Sequence, residues 1–206
     1  LAIRGTRSAL EWAKDAEVTL DPSPWGPGAM VHHGFYSTYD SMRYQPKGQP
    51  LDERPAWAAV RDAVQGRPVT VAGHSLGAPL AIYLSLDMAR AEQPVAGRYF
   101  AAPRAGNTAL AEEVNRRVPD HLVFNNELDV VPYLPPRSDS YQPLANIALL
   151  PPRNDVLKIG DDIVCYHHAI SYAALLQPAL MSVDQWKQRL ERSRQQAKCI
   201  LAGAPA

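Results

Sequence analysis

The stretch Val69-Thr70-Val71-Ala72-Gly73-His74-Ser75-Leu76-Gly77-Ala78-Pro79-Leu80-Ala81-Ile82-Tyr83-Leu84 decides how the rest of the chain is read. Its first four residues follow Pro68 and form a β-branched run bounded by turn signals, which predicts a buried strand. From Gly77 to Arg90 the spacing is helical, and Leu80, Ile82, Tyr83, Leu84, Leu86 and Met88 leave little of the helix polar. A helix that is apolar nearly all round is a buried one. Between strand and helix, Gly73-His74-Ser75-Leu76-Gly77 matches the pattern G-x-S-x-G, a nucleophile elbow. Its glycines let strand and helix approach closely while Ser75 sits in a strained turn. Pro79 falls in the first helical turn, where its missing N–H costs nothing.

Outward from this unit, strands and helices alternate. Residues 1–4 form a short apolar strand, and residues 6–14 place Ala9, Leu10 and Ala13 at helical spacing with Trp12 among them. Residues 21–28, with three prolines and two glycines, are a loop, and residues 55–65 carry Ala56, Trp57, Val60 and Val64 on a helical period. A strand is predicted at 98–102, then a helix capped by Asn107 and running to about Val118, then a strand at 121–125. Residues 132–152 are a long proline-bearing loop, of the kind that is usually functional. A last strand at 156–159 and a polar, amphipathic helix at 183–198 complete the chain. Alternation of this kind implies parallel pairing, so the expected fold is an α/β sandwich in one domain over residues 1–206.

Composition removes several classes of function. Twenty-one Lys and Arg balance 21 Asp and Glu, which argues against a nucleic-acid binder or a polybasic membrane-surface module, since both need a cationic face. The longest apolar runs are far below the roughly 18 residues that span a bilayer. Two cysteines, Cys165 and Cys199, exclude a disulfide framework and a four-cysteine zinc site; they form one bridge or none. No His-Glu-x-x-His or Cys-x-x-Cys is present, and the pairs His32-His33 and His167-His168 point apart, so no metal is expected. No Gly-rich phosphate loop occurs, and no cofactor is called for. Leu1 opens an apolar strand with no n-region before it, so no signal peptide can be read and localisation stays open.

A serine hydroxyl is a poor nucleophile and needs a base, itself oriented by an acid. Behind an elbow these follow in the order Ser, Asp or Glu, His. Asp129, in Asn125-Asn126-Glu127-Leu128-Asp129-Val130-Val131-Pro132, lies just after a strand and beside apolar valines, which favours it over Glu127. His167 and His168 precede an apolar helical run from Ala169 to Leu176, and either can be the base. An oxyanion hole also needs two N–H donors. The Leu76 N–H follows the nucleophile directly, and Thr6 stands at the end of the first strand in Arg4-Gly5-Thr6.

Taken in order, these residues resemble the fungal-type (class 3) lipases, members of the α/β-hydrolase superfamily. Arg4-Gly5-Thr6 with Trp12 and Asp15 is similar to that family's oxyanion strand and lid helix. Val31-His32-His33-Gly34-Phe35 resembles its His-x-Gly-Phe segment, and Gly73–Gly77 its elbow. Phe100-Ala101-Ala102-Pro103-Arg104-Ala105-Gly106-Asn107 resembles its Pro-Arg-x-Gly-Asn turn, and residues 125–135 its acid loop. The resemblance implies an α/β-hydrolase fold with a mostly parallel sheet flanked by helices, and hydrolysis of lipid esters through an acyl-enzyme. It makes Ser75, Asp129 and a late histidine the triad, with Thr6 and Leu76 as oxyanion donors. His167 lies five residues before Tyr172, a spacing similar to that of bacterial relatives of the family, so His167 is taken as the base. Residues 7–15 become a lid candidate, with Leu10 and Trp12 able to meet a lipid–water interface. The family has several tens of residues before the Arg-Gly-Thr strand, so this chain is expected to lack that segment. Ala78-Pro79 replaces the family's glycine and alanine after the elbow. The expected partner is a lipid ester, and secretion would follow from the resemblance. A soluble-ester esterase, an acyltransferase on the same triad and a non-catalytic binding protein are the alternatives.

Overall fold

The computed structural model describes residues 1–3, 19–138, 140–178, 181–182, 185–186, 188 and 199–202. The predicted helix at 6–14 and most of that at 183–198 lie outside the described residues, and with them Thr6 and the lid candidates Leu10 and Trp12.

The scaffold is a five-stranded sheet in the order β1 (Ala2–Ile3), β4 (Val69–His74), β5 (Val95–Phe100), β6 (His121–Asn126), β7 (Ile147–Leu150). All four pairings are parallel, with Gly73 opposite Ile3 on one side and Tyr99 on the other. Helix α3 (Gly77–Arg90) carries the chain from β4 to β5, and α4 (Thr108–Arg117) carries it from β5 to β6. Each is a crossover that parallel pairing requires. The α/β-hydrolase expectation is met, and every pairing in the main sheet is parallel rather than most.

Helix α3 is the hub of the core. Eleven of its residues are buried, from Gly77 to Met88, as its all-round apolar sequence predicts. It packs on β4 and β5 and is covered by α1 (His33–Asp40), α2 (Ala56–Val64) and α4. Near its far end the Trp25 indole N–H and the Tyr39 hydroxyl both donate to the Asp87 carboxylate, each at 2.6 Å. This fastens α1 and the loop between β2 (Leu20–Pro22) and β3 (Met30–His32) to the hub. Burial lifts the Asp87 carboxyl above the usual carboxylate range, against the pull of its two donors.

Three local expectations change. Strand β5 begins at Val95, three residues before the predicted start, and stops at Phe100, where Ala101 turns to φ +50°. The predicted 132–152 loop contains β7, an edge strand whose Ile147 and Leu149 are exposed. Its strand signal is four apolar residues among prolines. The β2–β3 hairpin, α1 and α5 (Ile163–His167) are not predicted: the hairpin strands and α5 are too short to show a period, and α1, His33-Gly34-Phe35-Tyr36-Ser37-Thr38-Tyr39-Asp40, is too mixed in polarity to read as an apolar helical run.

A second apolar cluster lies behind the end of the chain. Leu157 and Ile159 of β8 (Leu157–Ile159), Ala174 of α6 (Ala169–Leu176), Trp186, and Ile200 of β9 (Ile200–Ala202) are buried together around a Cys165–Cys199 disulfide. The bridge spans 34 residues in sequence and holds α5 to the start of β9. By chain-entropy reasoning a loop of that length is worth about 3–4 kcal/mol. We expect Cys165→Ser with Cys199→Ser to lower the melting temperature by about 5–15 °C. Thermal unfolding with and without the bridge measures this; unchanged melting would show that the cluster holds α5 without it.

Candidate active site

The elbow is built by contact rather than by composition. Ser75 has φ +57°, a left-handed conformation that costs a non-glycine residue roughly 1 kcal/mol. It is held there because the Ser75 N–H donates to the Phe100 carbonyl at 3.0 Å and the Ala78 N–H to the Ser75 carbonyl at 2.9 Å. A Cβ on Gly73 would stand 2.1 Å from the Gly77 carbonyl oxygen, so only glycine permits the strand to reach the helix. The turn delivers Ser75 to the carboxyl end of β4, the edge of a parallel sheet where ligands bind.

Asp129 reaches the same edge from the loop after β6. Its side chain is fully buried, whereas Glu127 is exposed. Its Oδ1 accepts the Val131 N–H at 3.0 Å. Its Oδ2 lies 2.8 Å from His167 Nδ1 and accepts the Tyr172 hydroxyl at 2.7 Å. His167 ends α5, and its Nε2 stands 2.8 Å from Ser75 Oγ. A carboxylate only accepts, so Nδ1 carries the ring hydrogen and Nε2 presents its lone pair to the serine hydroxyl. The structure therefore brings Ser75, His167 and Asp129 into one hydrogen-bonded line. His168 is elsewhere: its Nδ1 accepts the Ile170 N–H at 3.2 Å and caps α6. Burial pushes the His168 imidazole pKa down, and the neighbouring His167 adds to the effect.

Other groups that the sequence did not single out complete the site. The His74 Nε2–H donates to the His167 carbonyl at 2.8 Å, and its ring lies 5.0 Å from the His167 ring. Burial, reinforced by His167, pulls His74 down to about 4, so it stays a neutral donor. Arg104 ties down the acid loop, with its N–H on the Leu134 carbonyl at 2.8 Å and its guanidinium on the carbonyls of Tyr133 and Pro135. Asn126 links that loop to α5 through Nδ2 on the Tyr166 carbonyl at 3.2 Å. His74 sits inside the elbow motif and Arg104 inside the Pro-Arg-x-Gly-Asn turn, so motif position was the available signal. Leu76, at the start of α3, has an amide with no intrahelical acceptor. Thr6 lies outside the described residues, so only this half of the expected oxyanion pair is placed.

A parallel sheet with a strand–serine–helix elbow, and an acid and a histidine meeting the serine at the strand ends, defines an α/β-hydrolase. Within that class the family Lipase (class 3) matches residues 1–139, and the chain belongs to it. Phospholipase A1-II 3 of Oryza sativa subsp. indica is 27% identical over 201 residues, covering 83% of this chain and 48% of its own length. The lipase of Rhizomucor miehei is 29% identical over 143 residues, 66% of this chain and 37% of its own. Among solved structures, the Rhizomucor miehei lipase–propeptide complex superposes with a TM-score of 0.61 at 25% identity, over 72% of this chain and 49% of that one. A triacylglycerol lipase whose catalytic centre is formed by a serine protease triad gives a TM-score of 0.61 at 25% identity, over 75% and 58% of the two chains. This chain thus spans about half the length of the rice enzyme.

Gly73→Ala tests how tightly the elbow is built. The added methyl must displace the backbone at Gly77, so we expect a loss of about 3 kcal/mol or more in denaturant unfolding. A stable Gly73→Ala protein with full activity would show that the strand–helix approach is looser than drawn.

Proposed function

We propose that this protein is a serine hydrolase that cleaves carboxylic esters of lipids through an acyl-enzyme. The observation that carries the reading is the line from Ser75 Oγ through His167 to Asp129, with both contacts at 2.8 Å. His167 Nε2 takes the Ser75 proton as Oγ forms a bond to the ester carbonyl carbon. The tetrahedral oxyanion is held by the Leu76 N–H and by Thr6. Its collapse breaks the bond to the alcohol, which leaves with the proton from His167. Water then attacks the acyl-enzyme with His167 again as base, and the acid departs as Ser75 recovers its proton. Asp129 keeps the imidazole in the tautomer this needs and stabilises the imidazolium that forms.

Lipid as the substrate class rests on two supports. The named relatives are phospholipases A1, a lipase, and secreted mono- and diacylglycerol lipases. The exposed apolar residues Leu128, Val130 and Tyr133 lie on the acid loop and Ile163 and Val164 on α5, so both arms of the site present apolar surface. A lipid–water interface is the natural partner of such surface. In the sequence Ala9, Leu10 and Ala13 stand at helical spacing with Trp12 among them, which supports a lid helix in this segment. No helix among the described residues is long and apolar enough to cross a membrane. Export to an oxidising compartment fits both the secreted relatives and the disulfide.

Ser75→Ala should leave the fold intact and lower kcat by several orders of magnitude. His167→Ala should be comparably inactive, while His168→Ala loses only the stability of one cap, about 1 kcal/mol. Rates on a dissolved p-nitrophenyl ester and on an emulsified triacylglycerol check both points. A His167→Ala enzyme more active than His168→Ala would move the base to the second histidine. No activity on the emulsion, with full activity on the dissolved ester, would remove lipid from the substrate class.

A further inference from the structure

We propose that Tyr172 is a positioning residue that sets the basicity of His167 through Asp129. The proposal rests on the triad reading given above. Tyr172 stands on α6, one helix beyond His167, and its hydroxyl is shared between two groups. It accepts the Asn126 N–H at 2.9 Å and donates to Asp129 Oδ2 at 2.7 Å. Oδ2 is the same oxygen that faces His167 Nδ1. Two donors therefore compete for one carboxylate oxygen, while Oδ1 is occupied by the Val131 N–H.

The arrangement fixes direction as well as place. Because the Asn126 N–H occupies the Tyr172 oxygen, the phenol hydrogen is turned toward Asp129. Burial and the adjacent Asp129 charge raise the Tyr172 phenol far above its ordinary value, so it is always a donor and never a phenolate. The ring packs edge-on to His74 at 5.7 Å, and His74 in turn holds the His167 carbonyl. Tyr172 thus braces the acid directly and the base through His74.

A hydrogen bond to the carboxylate spreads part of its charge, and the less negative Asp129 stabilises the imidazolium less. Tyr172 accordingly holds His167 less basic than Asp129 alone would make it, and more of the enzyme keeps a free Nε2 lone pair at mildly acidic pH. The groups that face His167 are Asp129 from the acid loop, His74 from the elbow and His168 next in the chain; Tyr172 faces Asp129, and Tyr133 of the acid loop is an electrostatic neighbour of Tyr172. His74 is neutral down to about pH 4, and burial holds His168 below its ordinary value.

The test is the pH profile of kcat/KM on a dissolved ester for wild type, Tyr172→Phe, and protein with 3-fluorotyrosine at position 172. Tyr172→Phe removes the donor, so the acid limb should move up by about 0.5–1 pH unit with KM unchanged. The fluorinated ring is a stronger donor of nearly the same shape, so its limb should move down. It decides the matter even if Tyr172→Phe folds poorly. An acid limb that stays at the wild-type pH in the fluorinated enzyme, or that moves the same way in both, overturns the proposal and leaves Tyr172 a packing residue. Ser75→Ala is assayed beside them. If it retains activity, the triad reading has failed; if it is inactive and the limbs do not move, only the role of Tyr172 has failed.

Discussion

The close approach of β4 and α3 at Gly73 and Gly77 is the constraint on which the remaining structure depends. At 2.1 Å there is no space between a Cβ at Gly73 and the Gly77 carbonyl oxygen, so the chain must reverse within the residues between them. That reversal forces Ser75 to φ +57° and places its hydroxyl beyond the sheet edge. A strained non-glycine residue persists only where its surroundings over-determine it. Here the backbone bonds to Phe100 and from Ala78 do so, and the buried length of α3 anchors the turn from behind. Ser75 is therefore positioned by the core itself.

Asp129 and His167 arrive on elements with much less core of their own, and they are held differently. Asp129 lies on a loop whose far side is gripped by Arg104 through three backbone carbonyls. His167 lies at the end of a five-residue helix, too short to be stable alone. The disulfide at Cys165, the His74 hydrogen bond and the Asn126 amide each hold that helix from a different direction. The site is thus one rigid part met by two tethered ones. Its polar tethers are buried or partly buried, which strengthens each bond and makes the loss of any one costly.

Much of this was legible in the sequence. The elbow, the buried helix after it and the order of serine, acid and histidine follow from Gly spacing, β-branched runs and chain order. The valines beside Asp129 distinguished it from Glu127, and the structure buries the one and exposes the other. The choice between His167 and His168 was not in the residues themselves. They flank the break between α5 and α6, where the backbone of His168 is extended and sends the two rings apart. Spacing to Tyr172, borrowed from resemblance, pointed to His167, the ring that meets Ser75 and Asp129. The bracing contacts were invisible because they join residues far apart in sequence, 43 positions for Tyr172 to Asp129 and 93 for His74 to His167. Pairing of the cysteines likewise goes with the antiparallel β8–β9 contact, which joins strands far apart in sequence and leaves no periodic signal.

The central claim is that Ser75 carries the acyl group during turnover. A rapid-mixing experiment with excess p-nitrophenyl ester, quenched in acid and read by intact mass and peptide mapping, tests it most directly. The account predicts a burst of nitrophenol close to one equivalent, with the acyl mass on the peptide containing Ser75. Turnover with no acylated protein at any quench time, or an acyl group on another residue, would contradict it.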